Sequence, residues 1–231
     1  MMIKVCGMRE RDNIAAVAQL DIDMMGFVFW PQSPRYVRMI SSAAGIIPDY
    51  SEERLRRSRG EQLRDASRQP KRVGVFVDDM PQNIVTRVYS YRLDFIQLHG
   101  DEPRETCENL RSTLDPDIRP GIGIIKAISV ASPADLRRWK DYAGAVDMLL
   151  FDTKCSGKGG SGNRFDWRLL SEYDGDIPFL LSGGIGPDDA ESIRSVAHPM
   201  MAGIDLNSRF ETQPGLKDVE KLRNFIETIR Q

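Results

Sequence analysis

The chain has 231 residues, enough for one substantial core and close to the length usual for eight strand-helix units in one domain, but cramped for a second full domain. Hydrophobic residues make up 41% and charged residues 29%, a globular balance that excludes a disordered or membrane-embedded chain. The formal net charge of -2 supplies no long-range attraction to nucleic acid or to anionic lipid, so neither is expected as a partner.

Charge enters the opening stretch Met-Met-Ile-Lys-Val-Cys-Gly-Met-Arg-Glu too early for the apolar core of a signal peptide. No apolar run elsewhere approaches the roughly 18 residues needed to span a bilayer, so a cytoplasmic location is expected. Cys6, Cys107 and Cys155 are an odd number at wide spacing, which suits free thiols in a reducing compartment. With no Cys-x-x-Cys and only His99 and His198 as imidazoles, no metal site is expected.

Short apolar, β-branched runs recur in chain order: Ile3 to Cys6, Met24 to Phe29, Val73 to Val77, Phe95 to Leu98, Ile122 to Ala127, Met148 to Phe151, Phe179 to Leu181 and Met200 to Ile204. Most are almost continuously apolar, as parallel strands buried on both faces require. Helical patterns fill the gaps. Cys107 falls in line with Leu110 and Leu114, which points to core packing, and Ser132-Pro133 and Gly186-Pro187 look like helix starts. In the last gap Leu216, Val219, Leu222, Phe225, Ile226 and Ile229 share one face at helical spacing.

Eight alternating units favour an α/β fold closed as a (β/α)8 TIM barrel, one domain over residues 1–231, with an open doubly wound sheet as the alternative. The stretch from Asp49 to Arg72 is different in character, with eight Lys/Arg against five Asp/Glu and few large apolar residues. It reads as a charged, extended, solvated connection on the face opposite the strand C-termini, with a partner-binding or nucleic-acid role as the alternative.

In a barrel, chemistry gathers where strands end. The first strand ends at Cys6; a buried cysteine is more often inert filler, but this one stands at the mouth. The sixth apolar run breaks abruptly at Asp152, a residue that could cap the following loop or face Cys6 across the barrel. A thiol pushed down and a carboxyl pushed up in pKa would form a proton-transfer pair. The loop Ser156-Gly157-Lys158-Gly159-Gly160-Ser161-Gly162-Asn163 reads either as a passive linker or as a lid over substrate.

The seventh strand leads into Gly183-Gly184 and the eighth into Asp205-Leu206-Asn207-Ser208, the two loops in which barrels often hold phosphate. Arg35, after the second strand, is either a surface cation or a bidentate clamp for a carboxylate. His99 at the end of the fourth strand is either a structural histidine or part of the ligand-lining wall.

Taken in order, Lys4-Val5-Cys6-Gly7, Gly26-Phe27-Val28-Phe29 with Ser33-Pro34-Arg35-Tyr36, Val73-Gly74-Val75-Phe76-Val77 and Gln97-Leu98-His99-Gly100-Asp101-Glu102 form a recognisable series. It continues through Asp152-Thr153, Gly159-Gly160-Ser161-Gly162 with Phe165-Asp166-Trp167, Leu181-Ser182-Gly183-Gly184-Ile185 and Pro214-Gly215-Leu216-Lys217-Asp218. Over nearly its whole length the chain thereby resembles the phosphoribosylanthranilate isomerase family, barrels that perform an Amadori rearrangement in tryptophan biosynthesis.

The resemblance implies an aldose-ketose isomerase acting on a small phosphorylated substrate, N-(5-phosphoribosyl)anthranilate, with no metal and no organic cofactor. It implies Asp152 as general acid and Cys6 as general base, Arg35 on the anthranilate carboxylate, and Gly183, Gly184, Asn207 and Ser208 on the phosphate. Asp205 would support by a hydrogen bond, His99 would line the substrate site, and the enzyme would be a monomer or homodimer. Two features depart from the family. Arg209 stands where a glycine usually follows the serine, which either reshapes the phosphate loop or adds a phosphate contact, and the 49–72 connection is longer than usual. Competing expectations are another phosphosugar barrel isomerase or epimerase, and a barrel that binds a phosphorylated ligand without turnover.

Overall fold

The computed structural model describes residues 1–38, 69–153 and 167–231. Eight parallel strands close into a barrel in chain order: β1 (Met2–Val5), β2 (Met24–Val28), β3 (Lys71–Phe76), β4 (Phe95–Leu98), β5 (Gly123–Val130), β6 (Met148–Thr153), β7 (Phe179–Ser182) and β8 (Met201–Leu206). The seam between first and last strand pairs Ile3 with Ile204 and Lys4 with Asp205, so the open-sheet alternative is set aside.

Around the strands lie helices α1 (Arg11–Val17), α2 (Pro81–Tyr91), α3 (Arg104–Leu114), α4 (Pro133–Leu136), α5 (Ala190–Arg194) and α6 (Val219–Arg230). Among the described residues, short 3-10 turns lie at Arg137–Tyr142, Trp167–Glu172, Pro187–Asp189 and Ser208–Phe210. Pro133 and Pro187 each occupy the start of a helical segment, as the missing N–H of proline favours.

Strand alternation explains why the sequence is apolar almost without a break. Ile3, Val5, Phe27, Ile96, Leu149, Phe151, Leu181 and Ile204 point outward, against Ile14, Val17, Ile84, Val88, Leu110, Leu222, Phe225 and Ile226 on the helices. Met24, Val73, Ile125, Met148, Leu150 and Leu180 fill the barrel interior, and Cys6, Val28 and Val75 pack above them with Trp30. Each fully buried aliphatic side chain contributes about 1.5–3 kcal/mol, so burial of apolar residues on both strand faces holds the barrel together. Cys107 lies with Leu110 and Leu114 in this packing, as its helical spacing suggested.

Two boundaries differ from the expectations. Leu216 does not extend the last helix: it pairs in a small antiparallel hairpin, β9 (Glu211–Gln213) with β10 (Leu216–Lys217), and Asp218 caps α6 by accepting the Lys221 amide at 3.0 Å. Pro214-Gly215 makes the turn, with Gly215 at φ 85°. Lys71 and Arg72 are the first residues of β3 instead of the end of a charged connection. The strand tolerates them because it begins on the solvated face, where the Lys71 ammonium lies 5.6 Å from the Phe95 ring centre. Residues 49–68 of the charged connection lie outside the described residues, as do Cys155 and the glycine-rich loop.

Candidate active site

Polar side chains interrupt the apolar strands at their C-terminal ends, and they converge on the barrel mouth. The Cys6 amide donates to Leu206 O at 2.9 Å, which carries the thiol one residue past β1 while keeping it on the inward face it shares with Lys4. Cys6 is 4% exposed. Beneath it the wholly buried Lys4 ammonium lies 2.9 Å from Asp205 Oδ2, and the other Asp205 oxygen has no hydrogen-bond partner among the described residues.

On the opposite wall Asp152 is the penultimate residue of β6, with Oδ2 3.5 Å from His99 Nε2. Gln97, inward on β4 and buried, places its Nε2 2.8 Å from His99 Nδ1. With Gln97 donating, the ring proton sits on Nε2 and faces Asp152. Asp205 links the two walls electrostatically, interacting with Lys4 below and with His99 and Asp152 across the cavity.

A lowered thiol pKa was the expectation, and the structure corrects it. Burial pushes the Cys6 thiol above its ordinary value, and Lys4 and then Lys217 work against that rise without cancelling it, while Asp205 adds to it. For Lys4, burial disfavours the ammonium, but Asp205 and Cys6 outweigh it and hold the lysine above its ordinary value.

The loop after β2 folds back through the Tyr36 amide on Ser33 O at 3.0 Å and the Val37 amide on Val28 O at 2.9 Å, and so presents Arg35 to the mouth. There Arg35 is no free surface cation: it grips the buried Glu211 carboxylate, Nη2 to Oε2 at 2.6 Å and Nε to Oε1 at 2.9 Å. Lys217 Nζ contacts the same carboxylate at 2.6 Å and donates to Asn207 Oδ1 at 2.8 Å. Two cations on one carboxylate leave a net positive charge beside the mouth, suited to an anionic ligand.

After β7, Gly183 and Gly184 take φ of 96° and 68°, two consecutive left-handed residues that only glycine adopts without strain. β7 and β8 are paired neighbours, so this turn lies beside Asn207 and the exposed Ser208, which opens the next 3-10 turn. Arg209 follows without entering the positive-φ region, so the arginine does not bear the strain that replacing a glycine would imply. Among the described residues no group of three or more His, Cys, Asp or Glu is placed to hold a metal ion, and no helix is long and apolar enough to cross a membrane.

Sequence reasoning missed Lys4, Gln97, Glu211 and Lys217. Lys4 and Gln97 carried a signal, each a polar residue inside an apolar strand run and two positions before a site residue on the same face. Glu211 carried none, because Arg35 is brought to it only by barrel closure. Glu102 is structural: its carboxylate takes the Lys126 ammonium at 2.9 Å and the Asp78 amide at 2.8 Å.

Fold and mouth together define a (β/α)8-barrel enzyme with a thiol and a carboxyl near strand ends beside a cluster of cationic side chains. A family model described as PRAI, N-(5'phosphoribosyl)anthranilate (PRA) isomerase, matches residues 3–228. The N-(5'-phosphoribosyl)anthranilate isomerase of Parabacteroides distasonis is 46% identical over 99% of this chain and 93% of its own length. That of Phocaeicola vulgatus is 42% identical over 100% and 98%. Among solved structures, phosphoribosyl anthranilate isomerase from Thermotoga maritima superposes with a TM-score of 0.73 at 30% identity, covering 100% of this chain and 98% of that one. A phosphoribosyl anthranilate isomerase in complex with reduced 1-(o-carboxyphenylamino)-1-deoxyribulose 5-phosphate gives a TM-score of 0.73 at 29% identity, with the same coverage. The chain belongs to the N-(5'-phosphoribosyl)anthranilate isomerase family.

Proposed function

We propose that this protein is a cytoplasmic enzyme of tryptophan biosynthesis, acting as a monomer or homodimer, that converts N-(5-phosphoribosyl)anthranilate into 1-(2-carboxyphenylamino)-1-deoxyribulose 5-phosphate. The observation that carries the reading is the buried Cys6 thiol just past β1 at the same barrel mouth as the Asp152 carboxyl near the end of β6, with Asp205 interacting electrostatically with both.

Asp152 gives its proton to the ribose ring oxygen as the bond from that oxygen to C1 breaks, and the nitrogen lone pair forms the Schiff base. Cys6 as thiolate then takes the proton from C2, and the electrons move to form the C1–C2 double bond of an enolamine. Loss of the C2 hydroxyl proton and gain of a proton at C1 give the ketose. One proton leaves a carboxyl and one is taken by sulfur, so the sequence balances once the two exchange with solvent. The cationic Schiff base favours the thiolate just when it is needed, against the burial that raises its pKa.

Arg35 receives the anthranilate carboxylate, and Gly183, Gly184, Asn207 and Ser208 hold the phosphate. The unpartnered oxygen of Asp205 accepts a sugar hydroxyl, and His99 lines the pocket beside Asp152. The substrate of the reaction is a small phosphorylated molecule, with no nucleic acid or membrane involved. The experiment supplies N-(5-phosphoribosyl)anthranilate to purified protein and follows loss of its fluorescence in wild type, Cys6→Ser and Asp152→Asn. Both variants should bind product yet lose nearly all turnover; full activity in either removes the role given to that residue, and an inactive wild type removes the reading.

A further inference from the structure

Glu211 has no part in the chemistry above, yet it is among the most tightly held carboxylates near the mouth. Its side chain is 4% exposed, and it receives Arg35 Nε at 2.9 Å and 3.1 Å, Arg35 Nη2 at 2.6 Å, Lys217 Nζ at 2.6 Å and the Gly215 amide at 3.1 Å. Burial alone would raise its pKa, but hydrogen bonds from Arg35 and then Lys217 outweigh burial and keep it below the ordinary glutamate value. The hairpin β9–β10 supplies both Glu211 and Lys217, so the carboxylate is fixed by local backbone as well as by charge.

A guanidinium has two edges able to take a carboxylate, one through Nε and Nη2, the other through Nη1 and Nη2. Glu211 occupies the first. The second has no hydrogen-bond partner among the described residues, and the Arg35 side chain is 19% exposed. Gly7 closes the other side: a Cβ there would lie 2.6 Å from Arg35 Cδ and 2.8 Å from Asn207 Oδ1, so the arginine stem and the asparagine are packed against bare backbone.

We infer that Glu211 is a positioning residue that fixes the Nε–Nη2 edge of Arg35 and thereby aims the other edge at an aromatic carboxylate on the substrate. Through Lys217 and Asn207 the same residue ties that carboxylate site to the turn after β8, where the phosphate is held. The inference rests on the reading that Arg35 receives the substrate carboxylate. A contrary arrangement is chemically plain: a carboxylate already on Arg35 could compete with the substrate and have to be displaced. The two differ in sign.

The test measures KM and kcat of wild type, Glu211→Gln, Glu211→Asp and Arg35→Gln with two substrates, N-(5-phosphoribosyl)anthranilate and N-(5-phosphoribosyl)aniline, which lacks the carboxylate. Glu211→Gln should raise KM for the anthranilate substrate by about 10- to 100-fold with kcat nearly kept, and should leave KM for the aniline substrate within a few-fold of wild type. Glu211→Asp keeps the charge beside Lys217 but shortens the fork, so the same split should appear at smaller size; it also reads the inference if the glutamine variant folds poorly. A lowered or unchanged KM for the anthranilate substrate in both variants, or an equal loss with both substrates, overturns the positioning role. If Arg35→Gln fails to distinguish the two substrates, it is the placing of the carboxylate on Arg35 that falls. Where Arg35→Gln distinguishes them and the Glu211 variants do not, only the inference about Glu211 is lost.

Discussion

Lys4 and Asp205 face each other across the seam that closes the barrel, Nζ to Oδ2 at 2.9 Å, with the lysine side chain wholly buried and two residues before Cys6 on the same strand face. A buried ammonium directly below a thiol stabilises the thiolate, and Asp205 keeps that ammonium charged.

Removing the charge should therefore weaken the base. In Lys4→Met the thiol pKa moves further up, and kcat/KM at neutral pH falls by about tenfold or more. The pH midpoint for alkylation at Cys6, followed by mass spectrometry, should move to higher pH, while Lys4→Arg leaves it near wild type; an unmoved midpoint in Lys4→Met would show that the ammonium does not act on the sulfur. Stability has its own sign. The lysine is raised in the fold, so its contribution is fully present below the ordinary value of 10.5 and is lost only as pH climbs through the higher folded value. Lys4→Met forfeits that contribution at every pH below this, and leaves Asp205 buried without its partner, at a cost of about 3–5 kcal/mol.

Packing against the sulfur is as tight as the electrostatics. A Cβ added to Gly26 on β2 would lie 2.7 Å from Cys6 Sγ and 3.1 Å from Cys6 Cα, so Gly26→Ala has to push the thiol or the β1 backbone aside. Overpacking of this kind costs about 1–3 kcal/mol in stability. A displacement near 1 Å at a reacting group costs roughly 100-fold in rate. Turnover should therefore fall far more than the urea midpoint, with substrate KM little changed. A variant that melts earlier yet turns over normally would mean that the sulfur position is not critical.

Much of this was legible because burial on both faces leaves a strong mark on sequence. The eight strands stand out as apolar runs, and Cys6 and Asp152 stand out as the polar groups on which two of those runs end. Glu211 was not legible, since nothing near it in sequence announces that Arg35 will arrive from another loop. Leu216 misled because its spacing continues the α6 face by coincidence, although Pro214-Gly215 marks a turn between Glu211 and the helix. The raised Cys6 thiol could not be read either, because desolvation depends on the closed mouth around it and not on its neighbours in the chain.

Lys126 and Glu102 make a further buried ion pair, 2.9 Å apart with side chains 1% and 4% exposed, behind the loop that carries His99. Lys126 also donates to Gly100 O at 2.6 Å, and Glu102 receives the Asp78 amide, so the loops after β3 and β4 are held by one pair of charges. Lys126→Met strands the carboxylate and should cost about 3–5 kcal/mol, whereas Lys126→Met with Glu102→Leu should recover much of it, because a well-packed apolar pair often replaces a buried ion pair without loss. Urea midpoints read both. Equal destabilisation in the single and double variants would show that the loss comes from the loop hydrogen bonds instead of the stranded charge.

Arg209 allows a direct test of what the unusual residue in the turn proposed to hold phosphate does. Its stem runs beside Gly186, whose added Cβ would lie 3.0 Å from Arg209 Cδ and 3.5 Å from Nη1, so the side chain reaches from the turn after β8 toward the turn that holds Gly183 and Gly184. The residue is outside the positive-φ region, and a glycine there relieves no strain. It instead adds freedom to the unfolded chain, so Arg209→Gly should lose about 0.5–1 kcal/mol of stability. Removing an exposed cation beside a bound dianion should raise KM for the phosphorylated substrate by about 3- to 10-fold at low salt with kcat unchanged. The difference between wild type and variant should shrink as salt is added, because screening weakens only the charge contribution. A glycine variant that is more stable and binds substrate more tightly than wild type would identify the arginine as a strained residue, and a difference insensitive to salt would place its effect in the loop backbone instead of its charge.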